Sequence, residues 1–281
     1  MKFNLNCQLS YSLEDESTFI FSIKAAHNRS QKILQDAVEI DPPVRYEEYI
    51  APDTHNCYLR LHAPAGHLKI AYRATVEVSY IEETPTLIPE VSTDKLPIEI
   101  LPYLYPSRYC QSDRLIRLAQ YEFGEFLPGY SRITAICNWI YDNVAYLYGS
   151  TSTHTSAYDT ATERAGVCRD FAHLGIAFCR ALNVPARFIT GYAYGLDPPD
   201  FHACFEAYLG DRWYLFDSTR LVPRKGFVRI GAGRDAADVS FATIFGTAQM
   251  EEMDVSIDLS KVSTSISHIP TFTDNAIVSS L

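Results

Sequence analysis

Gly166-Val167-Cys168-Arg169-Asp170-Phe171-Ala172-His173 sets a cysteine where a loop turns into a helix that the rest of the fold must cover. From Cys168 onward Phe171, Leu174, Phe178 and Leu182 recur at helical spacing, and Asn183 and Pro185 supply the stop. Cys168 is therefore expected in the first turn. Backbone N–H groups there lack intrahelical acceptors, and the positive end of the helix dipole favours a thiolate. The same groups suit the oxyanion of an acyl intermediate. A free cysteine alone is more often a packing residue than a nucleophile. The other six, Cys7, Cys57, Cys110, Cys137, Cys179 and Cys204, have no partner signature and read as packing.

Two segments further along the chain set Cys168 apart. A histidine stands in Asp200-Phe201-His202-Ala203-Cys204-Phe205-Glu206, and an aspartate in Trp213-Tyr214-Leu215-Phe216-Asp217-Ser218-Thr219. Both segments are rich in aromatics and bounded by turn residues, as strands are, and Gly210-Asp211 between them marks a tight hairpin. A two-residue type II′ turn would pair Leu209 with Arg212, set His202 across from Thr219, and make Asp217 its diagonal neighbour on the same face. A three-residue loop would send the two side chains to opposite faces. Nucleophile, base and orienter thus occur in order, with the geometry resting on the loop length.

Helix-borne Cys, strand-borne His and an Asp on the next strand resemble the transglutaminase-like superfamily of papain-type cysteine enzymes. The phrases around Cys168, Arg180-Ala181-Leu182-Asn183-Val184-Pro185-Ala186-Arg187, Asp200-Phe201-His202-Ala203 and Trp213-Tyr214-Leu215-Phe216-Asp217 resemble its bacterial branch in order and spacing. Upstream, Leu101-Pro102-Tyr103-Leu104-Tyr105-Pro106-Ser107-Arg108-Tyr109 resembles the segment that joins that branch's amino-terminal β domain to the catalytic core. The resemblance implies an α+β fold, an amino-terminal β-sandwich followed by a papain-type core, with Cys168, His202 and Asp217 as catalytic residues. It implies a peptide or protein substrate and leaves the acyl acceptor open: water gives a protease or amidase, an amine gives a transglutaminase, and some members have no activity. The indole that helps bind the oxyanion in animal cross-linking enzymes has no clear counterpart, since Trp139 is the only tryptophan before Cys168 and its spacing does not fit.

The amino-terminal strands are visible without the resemblance. Residues 1 to about 85 hold short strand-like stretches between polar turns, among them Thr18-Phe19-Ile20-Phe21-Ser22-Ile23 and Leu68 to Val78, and suggest a β-sandwich. Pro85, Pro89, Pro97, Pro102 and Pro106 punctuate the chain after it, and their fixed φ and missing N–H disfavour helix or central strand. The expected division is a β-sandwich over 1–85, a connector over 86–106, and a catalytic domain with a carboxy-terminal extension over 107–281. Leu115 to Phe126 and Tyr130 to Val144 have helical periodicity and should flank the catalytic helix.

Composition excludes several function classes. At 281 residues and 47% hydrophobic content the chain is an ordinary globular protein, and a formal net charge of −10 with no basic run argues against nucleic acid or an anionic membrane surface. The amino terminus alternates polar and apolar residues and reads as a strand, not as a signal peptide. Seven cysteines, an odd number without framework spacing, favour the cytoplasm.

Competing candidates are weaker. His154 lies in a long polar loop, Tyr148 to Thr160, with nothing to fix it against Cys168, and His173 is rotated by roughly 140° from Cys168 around an ideal helix. His202, Cys204 and Glu206 share a strand face, but no CxxC, HExxH or calcium-loop pattern completes a metal site, and Glu206 is expected to meet Arg187. No metal and no cofactor are expected. Gly231-Ala232-Gly233-Arg234-Asp235 lacks the full phosphate-binding pattern. The resemblance suggests instead a loop near the site, where Arg234 or Asp235 would position substrate.

Overall fold

The computed structural model describes residues 1–260 and 275–280. Six strands open the chain: β1 (Lys2–Leu13), β2 (Ser17–Phe21), β3 (Gln31–Asp41), β4 (Tyr46–Ile50), β5 (Cys57–Ala63) and β6 (Gly66–Val78). A short β7 (Ile81–Glu83) leads into the connector, followed by α1 (Ser112–Phe123), α2 (Tyr130–Asn143), β8 (Ala145–Tyr146), α3 (Ala157–Glu163), β9 (Ala165–Gly166) and α4 (Cys168–Ala181). Then come β10 (Ala186–Ala193), β11 (Phe201–Leu209), β12 (Arg212–Phe216), β13 (Phe227–Gly233), β14 (Ala242–Phe245), β15 (Ala248–Leu259) and β16 (Ala276–Ser280). The fold is α+β, with the amino-terminal β region preceding a helix-and-sheet core.

In β1 the alternation of the sequence becomes a face: Phe3, Leu5, Cys7, Leu9, Tyr11 and Leu13 are all buried, and the residues between them are not. Each such side chain contributes about 1.5–3 kcal/mol when fully buried. Two four-stranded sheets, ordered β15-β1-β6-β3 and β14-β2-β5-β4, enclose the resulting core.

Here the structure differs from the division expected of the chain. The segment after the core, expected as an extension of the catalytic domain, returns to the sandwich. β15 pairs antiparallel with β1 from Phe3↔Leu259 to Leu13↔Ala248, and β14 pairs with β2. Without β15, β1 would present a twelve-residue row of unpaired N–H and C=O groups at the sheet edge. Conversely β7 and β16 join the core's sheet, ordered β13-β10-β11-β12-β16-β7. Parts of the expected extension, residues 261–274 and 281, lie outside the described residues. The connector holds three short 3-10 segments, at Pro85–Leu87, Thr93–Lys95 and Ile98–Tyr103.

α4 packs on the core's sheet, covered by the other helices. Phe171, Leu174 and Phe178 share one cluster with Phe205, Leu209 and Phe216 of the sheet. The sandwich and the core also share side chains: Tyr192, Val228 and Ile230 reach into the sandwich core, and the Tyr192 hydroxyl donates to the Ile23 carbonyl at 2.7 Å. Two buried amides staple the joint. The Gln31 amide nitrogen donates to the Ala26 and Arg229 carbonyls, and Asn56 donates to the Ala232 carbonyl and accepts its N–H.

Candidate active site

The start of α4 is fixed by its own third residue. Asp170, fully buried, accepts the Val167 N–H at 2.9 Å through Oδ2, which satisfies one of the amides left open before the helix. Its Oδ1 accepts the Thr151 hydroxyl at 3.1 Å. Gly166 leaves room for this cap, because a Cβ there would stand 2.6 Å from the Asp170 Cβ. Arg169 joins the same cluster, with Nη2 3.3 Å from Asp170 Oδ1, and donates to Thr151 Oγ1 at 2.7 Å and to the Ser152 carbonyl at 2.6 Å, tying the polar loop to the helix. The loop itself contains α3, opened by a Ser156–Asp159 capping box, where the sequence reads only as loop. Cys168 is thereby held at the first helical position, partly buried, while the other six cysteines are buried.

The hairpin closes with Leu209 opposite Arg212, on a two-residue loop. Gly210 and Asp211 have φ of +51° and +68°, so the turn is type I′ where type II′ was expected; positive φ at both central residues distinguishes the two. Loop length is the same in both, and so is the register, which runs to Phe205↔Phe216. One step further Asp217 falls opposite Cys204 and diagonal to His202. The His202 Nε2 and Asp217 Oδ2 are 2.8 Å apart. The other carboxylate oxygen accepts the Thr219 N–H at 2.8 Å and its hydroxyl at 2.7 Å, so Asp217 both caps the turn and faces the imidazole.

Burial by itself would push the His202 pKa down, but the Asp217 charge and hydrogen bond, followed by the Cys168 thiol, outweigh it and raise the pKa to about 10. For Asp217 burial acts upward, and the His202 charge and hydrogen bond with the Thr219 donors bring its pKa below the ordinary carboxylate value. The imidazole is therefore held as its cation at neutral pH. Its Nδ1 is buried, has no partner in hydrogen-bond geometry among the described residues, and has Cys168 as the sulfur neighbour that acts on the ring. An imidazolium fixed at one nitrogen by a carboxylate can exchange a proton at the other.

The remaining candidates have other work. His173 is fully buried, accepts the Ala236 N–H at 3.1 Å and stacks on Tyr109; burial, with Arg169 and Arg180, pushes its pKa well below the ordinary value and keeps it neutral. His154 is an exposed loop residue. Arg234 pairs with Asp238 and Asp235 accepts the Tyr109 N–H, so both brace the loop, where a substrate role was expected of them. Trp139 packs against Phe123 and Phe178 in the core, with the Arg164 guanidinium 4.4 Å from its ring. Glu206 meets Arg187 at 2.5 Å, as expected, and also stands 3.6 Å from Arg229.

Three neighbours of Cys168 escaped the sequence reading. Asp170 sits at the position of a capping carboxylate, but Val167 precedes the helix where Ser or Thr would have flagged it. Arg169 carries no local signal. Tyr146 is brought in by the parallel pairing of β8 with β9, which sets it opposite Gly166; its hydroxyl is hydrogen-bonded at the Cys168 backbone.

The thiols should be distinguishable by chemistry. Burial raises Cys7, Cys57, Cys110 and Cys137 to about 12, and Cys179 and Cys204 well above an ordinary thiol. Iodoacetamide at neutral pH, followed by peptide mapping, is expected to give one adduct, on Cys168. Adducts spread over the other cysteines, or none on Cys168, would contradict this.

Comparison with known proteins agrees with this architecture. Residues 118–218 match the core of the transglutaminase-like superfamily, and residues 1–99 match the amino-terminal domain of bacterial transglutaminases. The crystal structure of a "putative cysteine protease" from Cytophaga hutchinsonii superposes with a TM-score of 0.92 at 45% identity, covering 99% of this chain and 97% of that one. An uncharacterized protein of Mycobacterium leprae is 23% identical over 268 residues, 90% of this chain and 96% of that protein. One of Mycobacterium tuberculosis is 30% identical over 162 residues, about half of each. By its two matching segments, and by its likeness over nearly the whole length to a solved relative, the chain belongs to the transglutaminase-like superfamily of cysteine-dependent enzymes.

Proposed function

We propose that the protein is a cysteine-dependent acyl-transfer enzyme that cleaves amide bonds of peptides or proteins, with Cys168 as nucleophile, His202 as acid and base, and Asp217 as its orienter. The observation that carries this reading is the 2.8 Å contact of His202 Nε2 with Asp217, which leaves Nδ1 for the thiol at the start of α4. The Cys168 thiolate attacks the carbonyl carbon, and the negative charge passes to the carbonyl oxygen beside the helix N-terminus. The His202 Nδ1 proton moves to the leaving nitrogen, the C–N bond breaks, and an acyl-thioester remains. Water then gives its proton to Nδ1 and its oxygen to the acyl carbon, and the thiolate departs. An amine at the second step would make the same site a transglutaminase, and a groove that binds peptides without turnover is the non-catalytic alternative.

Hydrolysis is distinguished by supplying a peptide library with and without a primary amine: free carboxylic acid as the product in both supports it, and amine incorporation as the main product overturns it. Neither product would favour the binding module. For compartment, seven free thiols support the cytoplasm. No helix among the described residues is long and apolar enough to cross a membrane.

The pH dependence has a defined sign. The imidazolium is the form that donates to the leaving nitrogen, and a pKa raised from 6.5 to about 10 keeps it populated throughout the neutral range. The alkaline limb of kcat/KM is expected toward pH 10, and its falling near 6.5 would contradict the ion pair. The same shift stabilises the fold: the contribution is full below 6.5 and is lost as pH rises through about 10.

A further inference from the structure

A cleft of about 1360 Å³ lies against the sheet, walled by sandwich loops at His27–Arg29 and Asp53–Asn56 on one side and by the connector at Pro97–Tyr103 on the other. It is a built feature, because the Gln31 and Asn56 side chains fasten the sandwich wall to β13. Strand pairing sets Arg187 opposite Glu206, and Arg229 and His202 each opposite Gly191, so all four share one face of the sheet. Ile189, Cys204 and Leu215 form a cluster on that face between His202 and the Arg187–Glu206 pair, and none of Cys168, His202 and Asp217 lines the cleft.

Its floor holds an unsatisfied cation. Arg229 is 5% exposed and lines the cleft, yet its Nε and Nη1 have no hydrogen-bond partner among the described residues. Glu206 is hydrogen-bonded through Oε2 to Arg187, and its Oε1 stands 3.6 Å from Arg229 Nη1, an electrostatic contact too long for a hydrogen bond. Buried guanidiniums normally have their donors filled, and the complement of one whose donors are not all filled is an anionic acceptor such as a carboxylate. Beside it the Trp213 ring, with the Arg187 guanidinium 4.1 Å from its centroid, and Tyr103 edge-on to it make an aromatic wall. Exposed Asp53, Glu99 and Asp211 line the rim together with exposed Arg29 and the Arg234–Asp238 pair, so charges of both signs surround the entrance.

We propose that this cleft binds a ligand presenting a single carboxylate next to an apolar group, with the carboxylate received by Arg229 and the apolar part against Trp213 and Tyr103. The site does not depend on turnover at Cys168.

Titration calorimetry of the full chain with phenylacetate, phenylacetamide and inorganic phosphate tests it. Phenylacetate is expected to bind at one site, with the amide at least ~10-fold weaker for want of the charge and phosphate at least ~10-fold weaker for want of the apolar group. Arg229→Gln is expected to weaken phenylacetate at least ~10-fold while Cys168 remains the alkylated thiol. Equal affinity for acid and amide, no binding at millimolar concentration, or tighter phosphate overturns the proposal. Should the variant not fold, a crystal structure of the unaltered protein with phenylacetate decides: the carboxylate on Arg229 supports the site, and Arg229 bonded to water alone overturns it.

Discussion

Cys168→Ala is expected to lower turnover of an amide substrate by ~10⁴- to 10⁶-fold, the range seen when a nucleophile acting within a triad is removed. The fold should survive, because Cys168 is partly buried and its helix is capped by Asp170, whose contacts with Val167 and Thr151 do not involve the sulfur. Asp217→Asn serves as the graded control. In serine enzymes the equivalent change costs about 10⁴-fold, through loss of charge and of the correct tautomer. A smaller loss, ~10- to 10³-fold, is expected here because a thiol is a stronger acid than a serine hydroxyl and needs less help from a base. The measurement is kcat/KM on a peptide from the library, with melting temperature alongside. Full turnover by the Asn variant removes Asp217 as orienter, and full turnover by Cys168→Ala removes the enzyme reading itself.

Glu206→Gln is expected to lower stability by about 3–5 kcal/mol, because it removes the buried carboxylate between Arg187 and Arg229 and leaves their largely buried charges facing each other. The corresponding fall in melting temperature is on the order of 10 °C. Burial acts to raise the Glu206 pKa, but the Arg187 and Arg229 charges, with the Ser279 hydroxyl, bring it below the ordinary 4.5. A carboxylate whose pKa is lowered on folding contributes above its unfolded pKa and loses that contribution as pH falls through the folded one. The gap between wild type and variant is therefore wide at pH 7 and narrows below about 4.5. Urea melts at pH 7 and at progressively lower pH check both statements, and a variant within 1 kcal/mol of wild type at pH 7 would mean that the cluster is satisfied by other groups.

The two predictions rest on features that differed in how far the sequence exposed them. Cys168 at a helix start and His202 and Asp217 on a hairpin are statements about neighbours along the chain or across one tight turn, and the Glu206–Arg187 pair is one of opposite charges on successive strands. Spacing, turn residues and parity suffice to make them. The turn type did not follow, because Gly210-Asp211 is compatible with either primed turn and only the φ of Asp211 distinguishes them. Asp170 was hidden by an apolar residue at the cap, and Tyr146 by a two-residue strand too short to show any period.

Local order, then, was the sequence's own: the first turn of α4, the inward face of β1 and the register of the hairpin arise from interactions between residues a few positions apart. Pairings between distant segments belong to the tertiary structure. β15 on β1, Arg229 beside Glu206, and the cleft between sandwich and sheet join residues whose separation leaves no periodic trace, and which meet because an open sheet edge and a buried charge each need a partner from elsewhere in the chain.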